Sequence, residues 1–243
     1  MNHAHTSSGS VPAVAFEQLF LTDIRGEEVK LPNDALAQAA LDLISSVESA
    51  ALANHSVRTF FFGRLLAPHL DLTSGTDYDE RLLFLSSVLH DVGLSALAKR
   101  DQRFEVDGAD RAAEFLTEQG LPRSEVDAVW EAIALHSSTG IAEKKNALCR
   151  LTAQGIVIDF GGAAGVAPEH LVAVTDELGT AIHSSYPRHN MTTTLMDAVY
   201  NHAKSHPSAA PRYTSPGEIL RERTEAGITI VEEAVAAGTR WGN

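Results

Sequence analysis

The stretch LLFLSSVLHDVGLS (82–95) decides how this chain is read. Leu82, Leu83, Phe84, Leu85, Val88 and Leu89 make an apolar run that fits a helix buried on most sides. The run ends on His90 and Asp91, an imidazole beside a carboxylate. Burying two ionisable groups is costly unless they pair with each other or bind a metal. Neutral imidazole and carboxylate are both good ligands for a first-row divalent ion. The dipeptide alone leaves both outcomes open.

The chain has 243 residues, enough for one large domain with a sizeable core. It is 44% hydrophobic and 21% charged, the balance of a globular protein in water. Alanine and leucine are abundant and alternating strand patterns are few, which predicts an all-α fold. The net charge is −13, with no stripe of lysine or arginine. That argues against nucleic acid or an anionic membrane as partner, since both are bound through basic patches. A single cysteine, Cys149, excludes an internal disulfide. No apolar stretch reaches the ~18 residues of a membrane span. The N-terminal MNHAHTSSGS lacks the pattern of a secretory signal, so the expectation is a cytoplasmic protein.

Residues 1–12 read as a disordered tail and 13–243 as a single domain. VAFEQLFLTDIRGEEVKLP (14–32) suggests a short helix and an irregular turn, with Asn33 or Asp34 capping the next helix. NHSVRTFFFGRLLAPHL (54–70) places Val57, Phe61, Leu65 and Leu66 on one helical face, and Pro68 ends or bends it. His55 and Arg58 share a side of that helix. Residues 96–107 read as a charged loop, and Gly108 to Gly120 as a helix. In the helix after Pro122, Val126, Val129 and Ile133 lead at helical spacing to His136. His136 is therefore an inward histidine, either hydrogen-bonded in the core or facing a site. ALCRLTAQGIVIDFGG (147–162) carries Asp159 among apolar neighbours, where a lone carboxylate needs a partner. Helices are expected at 167–179, about 191–205, and 217–238 with a break near Gly227.

His55, His90, Asp91 and Asp159 thus stand at buried-looking positions, with His136 between the last two. Two nitrogens and two carboxylates suit Zn, Fe, Mn or Ni and leave positions for water. The pattern of a histidine, then His-Asp closing a buried helix, then a distant aspartate resembles the HD-domain superfamily of metal-dependent hydrolases. The resemblance covers about residues 35–180. NHSVRTFFFG, SVLHDVG, RFEVDGADRAAEFL (103–116) and VWEAIALHSSTGIA (129–142) bring it closest to the cyanamide hydratase-like group.

The resemblance implies a helical bundle around one divalent metal per chain, zinc first among the candidates. His55, His90, Asp91 and Asp159 would be its ligands. In the hydratase group, zinc-activated water adds across the nitrile of cyanamide to give urea. On this reading Asp91 shuttles protons, and His136 orients substrate or delivers a proton. His136 is also the place where some superfamily members bind a second metal. Arg58 and Glu105 are candidate substrate contacts, although each is equally open to a purely structural role. Phosphohydrolase members often carry a lysine soon after His-Asp to hold phosphate, whereas this chain has Leu94 and Ser95 there. Its next bases are Lys99 and Arg100, in a polar loop. Phe60, Phe61, Phe62, Leu89, Val92 and Leu94 suggest a compact apolar pocket for a small neutral molecule. The expected partner is that small molecule, and a homo-oligomer is compatible with the sequence. The competing readings are a phosphohydrolase of a nucleotide or small phosphate ester, and a non-catalytic regulatory or ligand-binding protein of the same fold.

Overall fold

The computed structural model describes residues 14–99, 101–161 and 171–243. The expected N-terminal tail and Arg100 lie outside them. The all-α expectation holds. Two-residue strands, β1 (Leu21–Thr22) and β2 (Glu28–Val29), form a small antiparallel hairpin in which Leu21 faces Val29. This hairpin replaces the helix expected early in 14–32. Asp23 explains it, because its carboxylate accepts from the amides of Arg25 and Glu27 and closes the turn.

Helices then follow in order: α1 (Ala35–Val47), α2 (Ala50–Leu66), α3 (Glu80–Leu89), α4 (Phe104–Glu118), α5 (Arg123–Leu135), the single turn α6 (Ala142–Lys145) and α7 (Ala147–Asp159). They are joined by α8 (Asp176–Ser185), α9 (Met191–Ser205), α10 (Ser215–Ala226) and α11 (Ile230–Gly238). Side-chain caps fix many of the starts: Asp34 for α1, Ser49 for α2, Asp79 for α3 and Asn146 for α7. Pro68 does end the regular part of α2, which tightens into a 3₁₀ turn at Ala67–Leu70. Gly227, at φ +77°, separates α10 from α11 as its position predicts. Two boundaries differ from expectation. Helix α4 starts at Phe104, so the charged loop is shorter and Glu105 is helical. Of the helix expected over 167–179, residues 167–170 lie outside those described, Leu171 is helical, 172–174 form a turn, and a helix runs over Asp176–Ser185.

Helix α2 is the axis of the bundle. Every residue from Ala51 to Leu66 is buried, and the helix packs against α3, α7 and α9. Its apolar residues join one large core, in which Phe60 meets Phe61 and Phe84 edge to face. A helix buried all round must find partners for its charged residues. Arg64 finds three, with Asp23 and Glu27 of the hairpin at 2.9 Å and Glu80 at 2.6 Å. Arg58 and His55 turn toward α7. A smaller apolar cluster of Phe104, Ile156, Phe160, Met191, Leu195, Met196 and Val199 lies where α4, α7 and α9 meet. Helices α10 and α11 pack chiefly on α9.

Two glycines permit the close approaches that position the site. Gly93, two residues past Asp91, lies where any Cβ would strike the Phe104 carbonyl and sit 2.7 Å from the Gly108 nitrogen. It lets the turn after His-Asp seat on α4. Gly155 lies where a Cβ would strike the Thr59 carbonyl and sit 3.0 Å from the Gly63 nitrogen. It is one turn before Asp159, and Thr59 is one turn after His55, so this contact sets how near those two side chains come. Gly155→Ala is expected to destabilise the protein by ~1–3 kcal/mol through overpacking, seen as a lower denaturant midpoint. An unchanged midpoint would contradict so close a packing of α2 on α7.

Candidate metal centre

Asp159, the last residue of α7, is fully buried and holds the tightest polar cluster in the molecule. Arg58 grips it with two parallel bonds, Nε to Oδ1 at 2.9 Å and Nη2 to Oδ2 at 2.7 Å. Arg188 adds a bond to Oδ1 at 2.9 Å and one to the Asp159 carbonyl at 2.7 Å. His183 Nε2 stands 3.3 Å from Oδ1. His55 Nδ1 donates to Oδ2 at 2.7 Å. Burial alone would raise the Asp159 pKa, but Arg58, His183 and His55 hold it well below the usual range. Asp159 is therefore a carboxylate that only accepts, and it fixes the tautomer of His55. With Nδ1 protonated, His55 Nε2 presents a lone pair. Burial lowers the His55 pKa despite the raising effect of Asp159, which keeps the ring neutral.

His90 is oriented in the same way by a different acceptor. Its Nδ1 donates to the Ser87 carbonyl at 2.7 Å, so Nε2 points onward, 3.2 Å from Asp91 Oδ2. His55 Nε2, His90 Nε2 and Asp91 Oδ2 are all buried without a hydrogen-bond partner. One ligand atom from each of these residues lies within 4.8 Å of the others. Three acceptors converging at a buried point favour a cation between them. Two imidazole nitrogens and one carboxylate, each held by its outer hydrogen bond, form a set that can bind a divalent metal and leave coordination positions open. The pair His90–Asp91 shows the same demand. Burial opposes charge on His90, yet Asp91 raises the His90 pKa and His90 holds Asp91 at about 2. A proton between them answers the need that a metal ion would answer better.

His136 caps α5, with its ring centroid 5.1 Å from that of His90. Its Nδ1 donates to the Ile133 carbonyl at 2.7 Å, leaving Nε2 free to accept. Burial, then the neighbouring His90, lowers its pKa to about 4, so it is neutral near pH 7. His90, Asp91 and His136 line a cavity of about 260 Å³. Most of its remaining wall is apolar and comes from α7, α9, α10 and α11, with Ser137 and Thr139 near His136 and Glu218 and Glu222 on α10.

Three sequence-based candidates, Asp159, Arg58 and Glu105, do not line this cavity. Asp159 was expected as a fourth metal ligand. The structure sets it behind His55, with both oxygens engaged by Arg58, Arg188 and the two histidines. Arg58, a candidate substrate contact, is wholly buried, and its remaining bonds go to the carbonyls of Tyr186 and Pro187. Glu105 is buried under the cavity floor instead of lining it. It accepts from Arg103 at 2.5 Å and from Ser137, and Ser137 is the residue that reaches the cavity. Phe60, Phe61 and Phe62 belong to the main core. The sequence reading passed over His183 and Arg188, whose role depends on a fold contact that no local pattern announces. It also passed over Glu48, at the end of α1. This carboxyl is buried with neither oxygen hydrogen-bonded, and burial and the charge of Asp91 push its pKa well up.

Residues 52–178 match the family model of the HD domain. That is more than half of the chain, which therefore belongs to the HD-domain family. Its members are all-α and are generally metal-dependent hydrolases. No curated protein is similar enough to be matched to it. No helix among the described residues is long and apolar enough to cross a membrane.

Alanine at His55, His90 or Asp91 is expected to remove bound divalent metal, measured by elemental analysis of the purified variant. Asp159→Asn should retain metal with affinity reduced by about 10–100-fold, the usual effect of losing an outer partner. Loss as complete as in the other three would restore Asp159 as a direct ligand. Arg58→Ala strands a buried carboxylate and should cost about 3–5 kcal/mol of stability.

Proposed function

We propose that this protein is a metal-dependent hydratase or hydrolase that adds water to a small neutral substrate, most simply a nitrile such as cyanamide. The observation that carries this reading is the cavity wall. Among the described residues, no lysine or arginine lines the cavity beside His90 and Asp91, and its two charged rim residues are acidic. A phosphate ester carries one or two negative charges and is commonly held by lysine or arginine in addition to a metal ion. Arg103 and Arg212 line a neighbouring surface hollow that shares Ser137, Thr139, Ser215 and Glu218 with the cavity; the Arg103 charge is held by Glu105, and Arg212 lies over the ring of Tyr213. Lys99 is exposed and lines a different hollow.

Bound by His55, His90 and Asp91, a divalent ion supplies a lowered pKa for water and polarisation of the target group. The chain's own residues supply the rest. The outer bonds to Asp159 and Ser87 fix the two imidazoles, so the ligand set needs no rearrangement. His136 Nε2 faces the cavity as a neutral acceptor and is placed to take a proton from the attacking water. It returns that proton to the nitrile nitrogen as the water oxygen bonds to carbon. The imidic acid formed becomes the amide by a proton shift, so that R–C≡N and H₂O give R–C(O)NH₂. The buried Glu105 restrains Ser137, whose hydroxyl lies beside His136 in sequence and shares the cavity wall.

His136→Ala should keep its metal and lose turnover by about 10²–10⁴-fold, the weight of a general acid or base. Loss of metal in that variant would make His136 a ligand. Cyanamide, simple nitriles, nucleotides and a chromogenic phosphate ester should be assayed on one preparation, loaded in turn with Zn, Mn, Fe and Ni. Nitrile hydration with little phosphatase activity is expected. Robust turnover of a phosphate ester without nitrile hydration would overturn the reading.

A further inference from the structure

We infer that the molecule taken by this cavity has an apolar body of about five or six carbons attached to its small reacting head. The inference rests on the hydration reading for the identity of that head, but not for the apolar body. One water molecule takes roughly 30 Å³ of liquid, and cyanamide has only three non-hydrogen atoms. The cavity has about 260 Å³, so most of it would stay empty around such a molecule. Most of the wall around the unfilled space is apolar, with Ser215, Glu218 and Glu222 as polar exceptions. Ile156 and Phe160 of α7, Leu195, Met196 and Val199 of α9, and Ile219, Ile230 and Val231 of the last two helices surround it. Apolar walls reward an apolar ligand and offer nothing to a polar one.

The origin of this wall supports the same conclusion. The HD-domain match ends at residue 178, and every wall residue from Leu195 to Val231 lies beyond it. The metal-ligand candidates come from the matched part, and the chamber is completed by helices beyond it. Of these, α10 is strongly polar: it reads SPGEILRERTEA, and its Ile219 lines the cavity. Ile230 lines the cavity although it is 63% exposed, an apolar position that core packing does not require. Met196, nearly fully buried, supplies a side chain that adapts to ligands of different shape.

The test uses the metal-loaded full chain and a homologous series of straight-chain amides, from acetamide to octanamide, with binding read by calorimetry. Their Kd should fall about fourfold per methylene, the value of burying one CH₂ group, and level off near hexanamide. Met196→Trp should raise the ratio of the hexanamide Kd to the acetamide Kd by tenfold or more. Met196→Ala should move the plateau to a longer chain, so the inference can be tested even if the tryptophan variant fails to fold. A flat series in the parent protein, or an unchanged plateau in a folded Met196 variant, would overturn the inference. Nitrile turnover on the same preparation separates the two claims. A flat amide series with cyanamide hydrated refutes the apolar body alone. A rising series with no nitrile hydrated supports the apolar body and refutes the hydration reading.

Discussion

The bidentate pair of Arg58 with Asp159 is the interaction on which the site depends. A carboxylate at the centre of an apolar bundle is tolerated only when its charge and all its lone pairs are answered. Arg58 answers two of them from α2, and Arg188 answers another from the segment after α8. With the carboxylate held ionised, the remaining contact, to His55 Nδ1, must be a donated hydrogen bond. The lone pair of His55 is thereby aimed at His90 and Asp91. A buried ion pair of this kind contributes little net stability. Its effect is to specify one tautomer and one ring orientation. The glycine contact between α2 and α7 makes that pairing reachable, because a larger residue at position 155 would hold the helices apart.

Much of this was legible in the sequence, for a physical reason. His90 and Asp91 stand at the end of a mostly apolar run, and Asp159 and His136 interrupt apolar stripes in the same way. Ionisable residues in such positions announce a partner or a ligand, and the helical periodicities around them predict the bundle. What the sequence could not supply was the identity of each partner. Arg58 is one turn from His55, so it looked equally suited to substrate and to structure. Only the fold shows that Asp159 claims it. The same ambiguity applies to Asp159, since a carboxylate that orients a ligand and one that is a ligand occupy similar sequence environments; the fold shows it bonded to Arg58 and His55. Glu105 was misplaced because the start of α4, at Phe104, lacks a side-chain cap and so gave no signal.

The cavity was the least legible part. The expected wall, around Phe60–Phe62, is core, and the observed wall comes from residues far along the chain. Leu195, Met196 and Val199 do carry a signal, a narrow apolar stripe on a polar helix, but that stripe looks the same whether it covers a core or a chamber. Ile219 stands in a mostly charged helix and Ile230 in the short apolar stretch ITIV (228–231), and only tertiary structure brings them to one wall. The division follows the architecture. The matched HD-domain residues hold the candidate metal group, and the helices after them shape what may approach it.

The central claim is that three residues hold the metal while Asp159 holds His55. A crystal structure of the metal-loaded protein, with the ion located by its anomalous scattering, tests it directly. The account predicts an ion bonded to His55 Nε2, His90 Nε2 and Asp91, with both Asp159 oxygens still on Arg58 and Arg188. An ion bonded to an Asp159 oxygen, with the Arg58 pair opened, would contradict it.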